Sequence, residues 1–274
     1  PKIITKVGVY RGLSYSEYDS IPAVRSTYLK KHLHCPASTQ IEDEEKESYA
    51  FGIAAHVFIL EGEKEFLRRY TVMQEFEGDK RKAGFKALKK TTQELAAIQS
   101  KQVISYEDHQ AIIGINKNIK LHPTASKFIG NHEPEITIVW KDPETGLLCK
   151  IRIDMAPYMK QRAIPDFKTA KSVSEYGFRS QIREYYYDLS AAMYLEGASI
   201  ALKEKIDVFF FIAGEKKPPY RVEVHELSAQ CIEDGSTLFH RALRQEAACQ
   251  KAKFYPPYLH GGVIVQEKIR TVEA

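Results

Sequence analysis

The sequence predicts an α/β chain of the mixed, α+β kind, with a central mixed β-sheet flanked by helices. Three observations lead there. Short apolar runs of strand length cluster between residues 136 and 225, segments of helical character precede, interrupt and follow them, and 43% hydrophobic content over 274 residues suffices for one sizeable core. One domain is expected over 1–274, helical over about 1–130 and carrying a catalytic sheet core over about 131–274. The sequence contains no internal repeat and no low-complexity tract.

The elements follow in order. Val7 to Tyr10 reads as a short strand. Ser14, with Glu17 three residues on, is the signature of a capping box opening a helix. Ser26 opens a second short helix, closed by Cys35-Pro36, and Ile41 to Ser48 is an acidic connection. Tyr49 to Leu60 is apolar nearly all round and reads as a buried helix stopped near Gly62. Asp79 to Ile98 predicts a charged helix, and Ser105 to Leu121 another, with Glu107 and Asp108 in its first turn. A three-strand meander is expected next: Ile136 to Trp140, a turn over Asp142-Pro143-Glu144-Thr145-Gly146, Leu147 to Met155, then Ala163 to Lys168. Two helices span about Ser174 to Leu202, with the Tyr185-Tyr186-Tyr187 run between or within them. Strands over Ile206 to Ala213 and Tyr220 to His225 and a long helix from Ser228 to Lys253 complete the order. The tail from Phe254 is rich in Pro and Gly.

A net charge of +4 permits a nucleic-acid partner without demanding one. The four cysteines form no C-x-x-C pair, which argues against a zinc ribbon, a redox motif or an iron–sulfur cluster and for reduced thiols in the cytoplasm. No signal peptide and no apolar run near twenty residues is present, so no membrane association is expected. The chain starts at Pro1 rather than Met, as a processed product or a fragment does.

The stretch that carries chemistry is Ile151-Arg152-Ile153-Asp154, followed twelve positions later by Asp166-Phe167-Lys168. Strand alternation sends Asp166 and Lys168 to one side and Phe167 to the other. If the two runs pair as a hairpin, Asp154 reaches the same point. Two carboxylates beside a lysine suit a hard divalent cation and an activated water. Lys168 would orient that water and offset charge on the phosphorus oxygens; an ordinary strand-edge lysine is the alternative. His56 lies in the apolar helix, where a packed core histidine is the usual reading. Its small neighbours Gly52, Ala54 and Ala55 would let the helix approach the sheet and carry the imidazole to a metal. Glu135 opens the first strand of the meander, as a ligand or as a solvated strand start. Lys80, Arg81, Lys82, Lys86, Lys89 and Lys90 would line one charged helix and track a phosphate backbone, or simply face solvent. Arg25 and Ser26 sit at a helix N-terminus, a place that binds phosphate, although plain capping by Ser26 is the simpler reading.

Gly52-x-x-x-His56, Glu135, Asp154 and Asp166-Phe167-Lys168-Thr169, in this order, resemble the PD-(D/E)XK nuclease superfamily, and within it the RecE (exonuclease VIII) and phage lambda-exonuclease-like group. Gly8-Val9-Tyr10, Ser14-x-x-x-Tyr18, Cys35-Pro36-Ala37, Trp140 to Gly146 and Ala192-Met193-Tyr194-x-x-Gly197 extend the likeness over most of the chain. The resemblance implies a restriction-endonuclease-like core and a Mg²⁺-dependent exonuclease, with Mn²⁺ able to substitute. Such an enzyme degrades one strand of linear duplex DNA from its 5′ end to mononucleotides and leaves a 3′ overhang. It further implies a phage or prophage origin, a homo-oligomeric ring around DNA ends and a RecT-like single-strand annealing protein as partner. Carried over by residue, His56, Asp154, Asp166 and the Phe167 carbonyl are metal ligands, Lys168 is the catalytic lysine, and Glu135 is a further acidic position. Arg25, Ser26, Gln181, Ser190 and Tyr194 are candidate DNA contacts.

Two departures stand out. Ser190 occupies a position where many relatives carry glutamine, so that either a DNA or active-site contact is weakened there or Gln181 substitutes for it, and Pro165 precedes Asp166 where an apolar strand residue is expected, as if the strand started late or bent there. The rival readings are a PD-(D/E)XK endonuclease, a helicase-associated nuclease module and a catalytically inactive DNA-binding scaffold.

Overall fold

The structure, a computed structural model, describes residues 4–41, 47–130, 135–155 and 162–257, with nothing said of the side chains of residues 47–49. Its elements run β1 (Gly8–Arg11), α1 (Tyr15–Ser20), α2 (Ser26–His34), α3 (Glu47–His56), α4 (Glu63–Arg69), β2 (Tyr70–Val72), α5 (Ala83–Ile98), β3 (Gln102–Ile104), α6 (Tyr106–Leu121) and α7 (Ala125–Gly130). They continue with β4 (Ile136–Lys141), β5 (Leu148–Ile153), β6 (Ala163–Ala170), α8 (Glu175–Glu184), α9 (Tyr187–Leu202), β7 (Val208–Glu215), β8 (Val222–Glu226) and α10 (Ala229–Ala252).

Local chemistry accounts for most boundaries. Ser14 and Glu17 form the capping box of α1, and Ser105, Ser174 and Ser228 each accept a backbone N–H at the start of α6, α8 and α10. The turn between β4 and β5 is held by Asp142 Oδ2, which accepts from the N–H and the hydroxyl of Thr145 at 2.6 Å each. Two expectations need correction. Ser26 caps nothing: it is the first residue inside α2, and Arg25 holds the cap position without a side-chain bond. The charged helix starts at Ala83 rather than Asp79, because Asp79 closes a turn onto Arg81 and leaves Lys80 paired with Glu107, so the basic run does not line one helix. The acidic connection lies largely outside the described residues, as does the tail beyond residue 257.

The sheet differs from a meander. β1, β4 and β5 form one antiparallel sheet, while β6 pairs in parallel with β7, which pairs antiparallel with β8. β5 and β6 are therefore not ladder neighbours among the described residues, and no hairpin joins them. The intervening α8 and α9 supply the crossover that a parallel β6–β7 pair requires. β7, with Phe209, Phe211 and Ile212 buried, has the apolar character of a central strand. A separate feature, the parallel pair β2–β3 of three residues each, has no clear sequence signal.

Two main cores meet at the sheets. One joins Ile136, Ile138, Trp140, Ile151 and Ile153 to α9 and α10 and includes Ile164 and Ala170 of β6. The other joins Phe51, Ala54, Ala55 and Phe58 to α6 and takes Phe167 from β6. α9 and α10 touch closely: a Cβ on Gly235 would lie 2.3 Å from the Asp188 carbonyl oxygen, so only glycine fits there. α2 is held on α10 by a buried network in which His32 Nε2 meets Glu246 Oε2 at 2.7 Å and Tyr28 donates to the same oxygen at 3.0 Å. Burial raises the Glu246 carboxyl, but His32, Gln250 and Tyr28 outweigh it and hold the group below its ordinary 4.5. A depressed carboxyl adds stability above its unfolded value and loses it as pH falls through the folded one. Glu246→Gln should therefore cost about 1–3 kcal/mol at neutral pH and flatten the acid limb of stability measured by denaturant titration at stepped pH.

Candidate active site

The site forms where the ends of β5 and β6 come side by side. Along β6, Ile164 and Ala170 pack toward α9, and Asp166 and Lys168, of the same parity, take that side as well. Phe167 turns into the opposite core and anchors the strand against α3. The Phe167 N–H is near enough to the Asp154 carboxylate to favour its charged form, so a side chain rather than a ladder brings β5 to β6. The same alternation explains Pro165. It lies on an edge strand, where a missing N–H that faces away from β7 breaks no ladder bond, and β6 neither starts late nor is interrupted there.

α3 delivers His56 as its last residue, just before the helix widens into a π turn over Val57–Glu61. A Cβ on Gly52 would lie 3.7 Å from Thr169 Oγ1, so the helix rests close against β6, as its small residues predict. His56 Nε2 lies 2.8 Å from Asp154 Oδ2. Glu135, just ahead of β4, accepts from Arg152 Nε at 2.7 Å. One ligand atom from each of His56, Glu135 and Asp154 falls within 4.8 Å of the others. Asp166 lies outside that trio: its Oδ2 is ion-paired with Lys168 Nζ, and the same buried oxygen meets no donor in hydrogen-bonding geometry among the described residues. Lys168 Nζ is also 3.4 Å from the Phe167 carbonyl oxygen.

The electrostatics follow from burying two carboxylates together. Burial opposes ionisation of Asp154, but His56, Lys168 and the Phe167 N–H prevail and hold it below the usual carboxylate range. Asp166 goes the other way: burial and the charge of Asp154 raise it despite Lys168. Burial would lower His56, but Asp154 and Glu135 raise it, and Lys168 is raised against burial by Asp166 and Asp154. One imidazole and a set of buried carboxylates are a donor set that fits a hard or borderline divalent cation.

The candidate DNA contacts are distributed unevenly. Arg25 is ion-paired with Asp19 at 2.5 Å. Ser26 is buried in the first turn of α2. Gln181 is buried, and its side-chain oxygen accepts from the N–H groups of Lys171 at 2.9 Å and Ser172 at 3.4 Å. It braces the turn after β6 through that oxygen. Ser190 bonds back to the Tyr186 carbonyl at 3.5 Å, and Tyr194 feels the charges of Asp166, Asp154 and Glu135. Sequence reasoning missed two residues beside Lys168. Tyr187 opens α9 after Tyr186 bends the chain at φ +48°, and Lys168 Nζ stands 5.9 Å from the centre of the Tyr187 ring. Lys30 of α2 reaches the same ring. No sequence pattern links residue 30 to residue 168; the i, i+3, i+7 spacing of Tyr187, Ser190 and Tyr194 was the available hint.

The model of a family described as a PDDEXK-like domain of unknown function (DUF3799) matches residues 25–263. The chain belongs to this family. As a PDDEXK-like domain it falls within the PD-(D/E)XK nuclease superfamily that its motifs resemble. Its fold is similar to the crystal structure of a Eubacterium rectale protein named "Putative exonuclease", with a TM-score of 0.61 and 13% identity over 95% of this chain and 97% of that one. At that identity the likeness speaks for the fold alone. No curated protein matches this PDDEXK-like domain in sequence. Among its described residues, no helix is long and apolar enough to cross a membrane.

Proposed function

We propose that the chain is a divalent-cation-dependent deoxyribonuclease and, within that class, a Mg²⁺-dependent 5′→3′ exonuclease acting on linear double-stranded DNA. The observation that carries this reading is the meeting of His56, Glu135 and Asp154 beside the Asp166–Lys168 pair in a PDDEXK-like domain. His56, Asp154, Asp166 and the Phe167 carbonyl would hold the cation, with Glu135 direct or through water. A cation bound there supplies Lewis acidity to the scissile phosphate and to the attacking water.

The chain's own residues do the rest. Asp154 stays ionised and orients His56, whose ring must give up its shared proton to ligate. Asp166 keeps the Lys168 ammonium at the end of β6, where it orients the water and offsets charge on the phosphorus oxygens. The Phe167 side chain, buried behind the strand, fixes the position of its carbonyl. The name of the Eubacterium rectale protein supports an exonuclease over an endonuclease. The family resemblance extends the reading to mononucleotide products, a 3′ overhang, a homo-oligomeric ring, a single-strand annealing partner and a role in phage or prophage recombination. The expected result is that linear duplex is degraded with Mg²⁺ while covalently closed circular DNA of the same sequence survives, read on a gel. Cutting of the closed circle would replace the exonuclease reading with an endonuclease.

A further inference from the structure

α2 lays a second lysine against the site. Lys30 Nζ stands 5.3 Å from the centre of the Tyr187 ring, and Lys168 Nζ stands 5.9 Å from the same ring. One tyrosine thus lies beside two ammonium groups that come from elements 138 positions apart in sequence. Tyr187, Ser190 and Tyr194 share a face of α9 at helical spacing, and the charges of Asp166, Asp154 and Glu135 reach that face at Tyr194. Ser190 contributes only a short side chain there. The placement of Lys30 is built in, because α2 is locked to α10 through His32, Tyr28 and Glu246.

Among the described residues Lys30 has no counter-ion of its own. It is half-buried, and among the described residues it makes no hydrogen bond and no ion pair, while Asp166 and Asp188 are near enough to be felt but not to pair with it. Burial and the repulsion of Lys168 push its ammonium down to about 7. A half-buried cation without an anion costs free energy, and packing on Tyr187 offsets only part of it. An arriving phosphate would supply the missing anion.

We propose that Lys30 is a second catalytic cation of this centre, contacting a phosphate oxygen of the bound DNA from α2 while Lys168 acts from β6. The proposal rests on the nuclease reading above, and it requires the charge, not merely the packing, of the Lys30 side chain.

The test compares the full chain with Lys30→Met, which keeps the apolar stem, and Lys30→Arg, which keeps the charge. Single-turnover cleavage of a linear duplex with Mg²⁺ should fall about 10- to 100-fold in Lys30→Met, with the melting temperature little changed, and should be largely retained in Lys30→Arg. DNA binding with Ca²⁺ in place of Mg²⁺ adds a readout that packing does not move. Losing one phosphate contact should make the slope of log K against log salt shallower by about 0.9. Lys30→Met cleaving within threefold of the parent with an unchanged slope would overturn the proposal. So would activity lost only together with thermal stability and not recovered by Lys30→Arg. If the parent chain cleaves no DNA, the nuclease reading fails on its own, and the salt slope alone decides whether Lys30 meets phosphate.

Discussion

Lys168→Ala is expected to lower single-turnover cleavage of linear duplex DNA by about 10²- to 10³-fold or more, with folding and DNA binding retained. The side chain is partly exposed at the end of β6 and fills no core, so its loss opens no large cavity. What it leaves behind is Asp166, already raised by burial and by the neighbouring charge of Asp154. Without the ammonium, Asp166 relieves itself by taking a proton rather than by unfolding the strand. Circular dichroism and melting temperature should therefore stay near those of the parent while the rate collapses. A fully active variant would remove Lys168 from the chemistry.

Asp154→Asn is expected to abolish cleavage and to weaken Mn²⁺ or Mg²⁺ binding by more than about 100-fold in calorimetry. Asp154 is the hub of the site: its Oδ2 stands 2.8 Å from His56 Nε2, and His56, Lys168 and the Phe167 N–H together favour its charge. It is also the main reason, against the effect of burial, that the His56 proton is held above its ordinary 6.5. A metal competes with that proton, so affinity in the parent should rise as pH rises through the folded value of His56. Binding should release a proton, visible as a dependence of the binding heat on the ionisation enthalpy of the buffer. Asp154→Asn removes the anion that holds the proton, so the residual binding heat should lose most of that dependence. Unchanged metal affinity in this variant would place the cation elsewhere.

Much of this arrangement is legible in the sequence because it depends on local periodicity. The alternation of Asp166, Phe167 and Lys168 separates acid and base from the buried ring, and the small residues around His56 announce a helix that rests on a strand. The serine caps are equally local. What could not be read depends on contacts between distant residues. The apolar runs of β5 and β6 look like hairpin partners, yet β6 pairs with β7 across two helices, since strand partners are chosen by the whole core rather than by either strand. The meeting of Lys30, Tyr187 and Lys168 has no signature in any one segment. The turn at Asp79–Lys82 shows the opposite failure: a charged run read as helix, where Asp79 bonded to Arg81 competes with the helix start.

The measurement closest to the central claim is digestion of a linear duplex labelled at either 5′ or 3′ end, with Mg²⁺ and with chelator. Rapid release of the 5′ label as mononucleotide, late release of the 3′ label, and no release under chelation are the predicted results. Cleavage that persists in chelator, or no cleavage with any divalent cation, would contradict a cation-dependent nuclease centre at Asp154, Asp166 and Lys168.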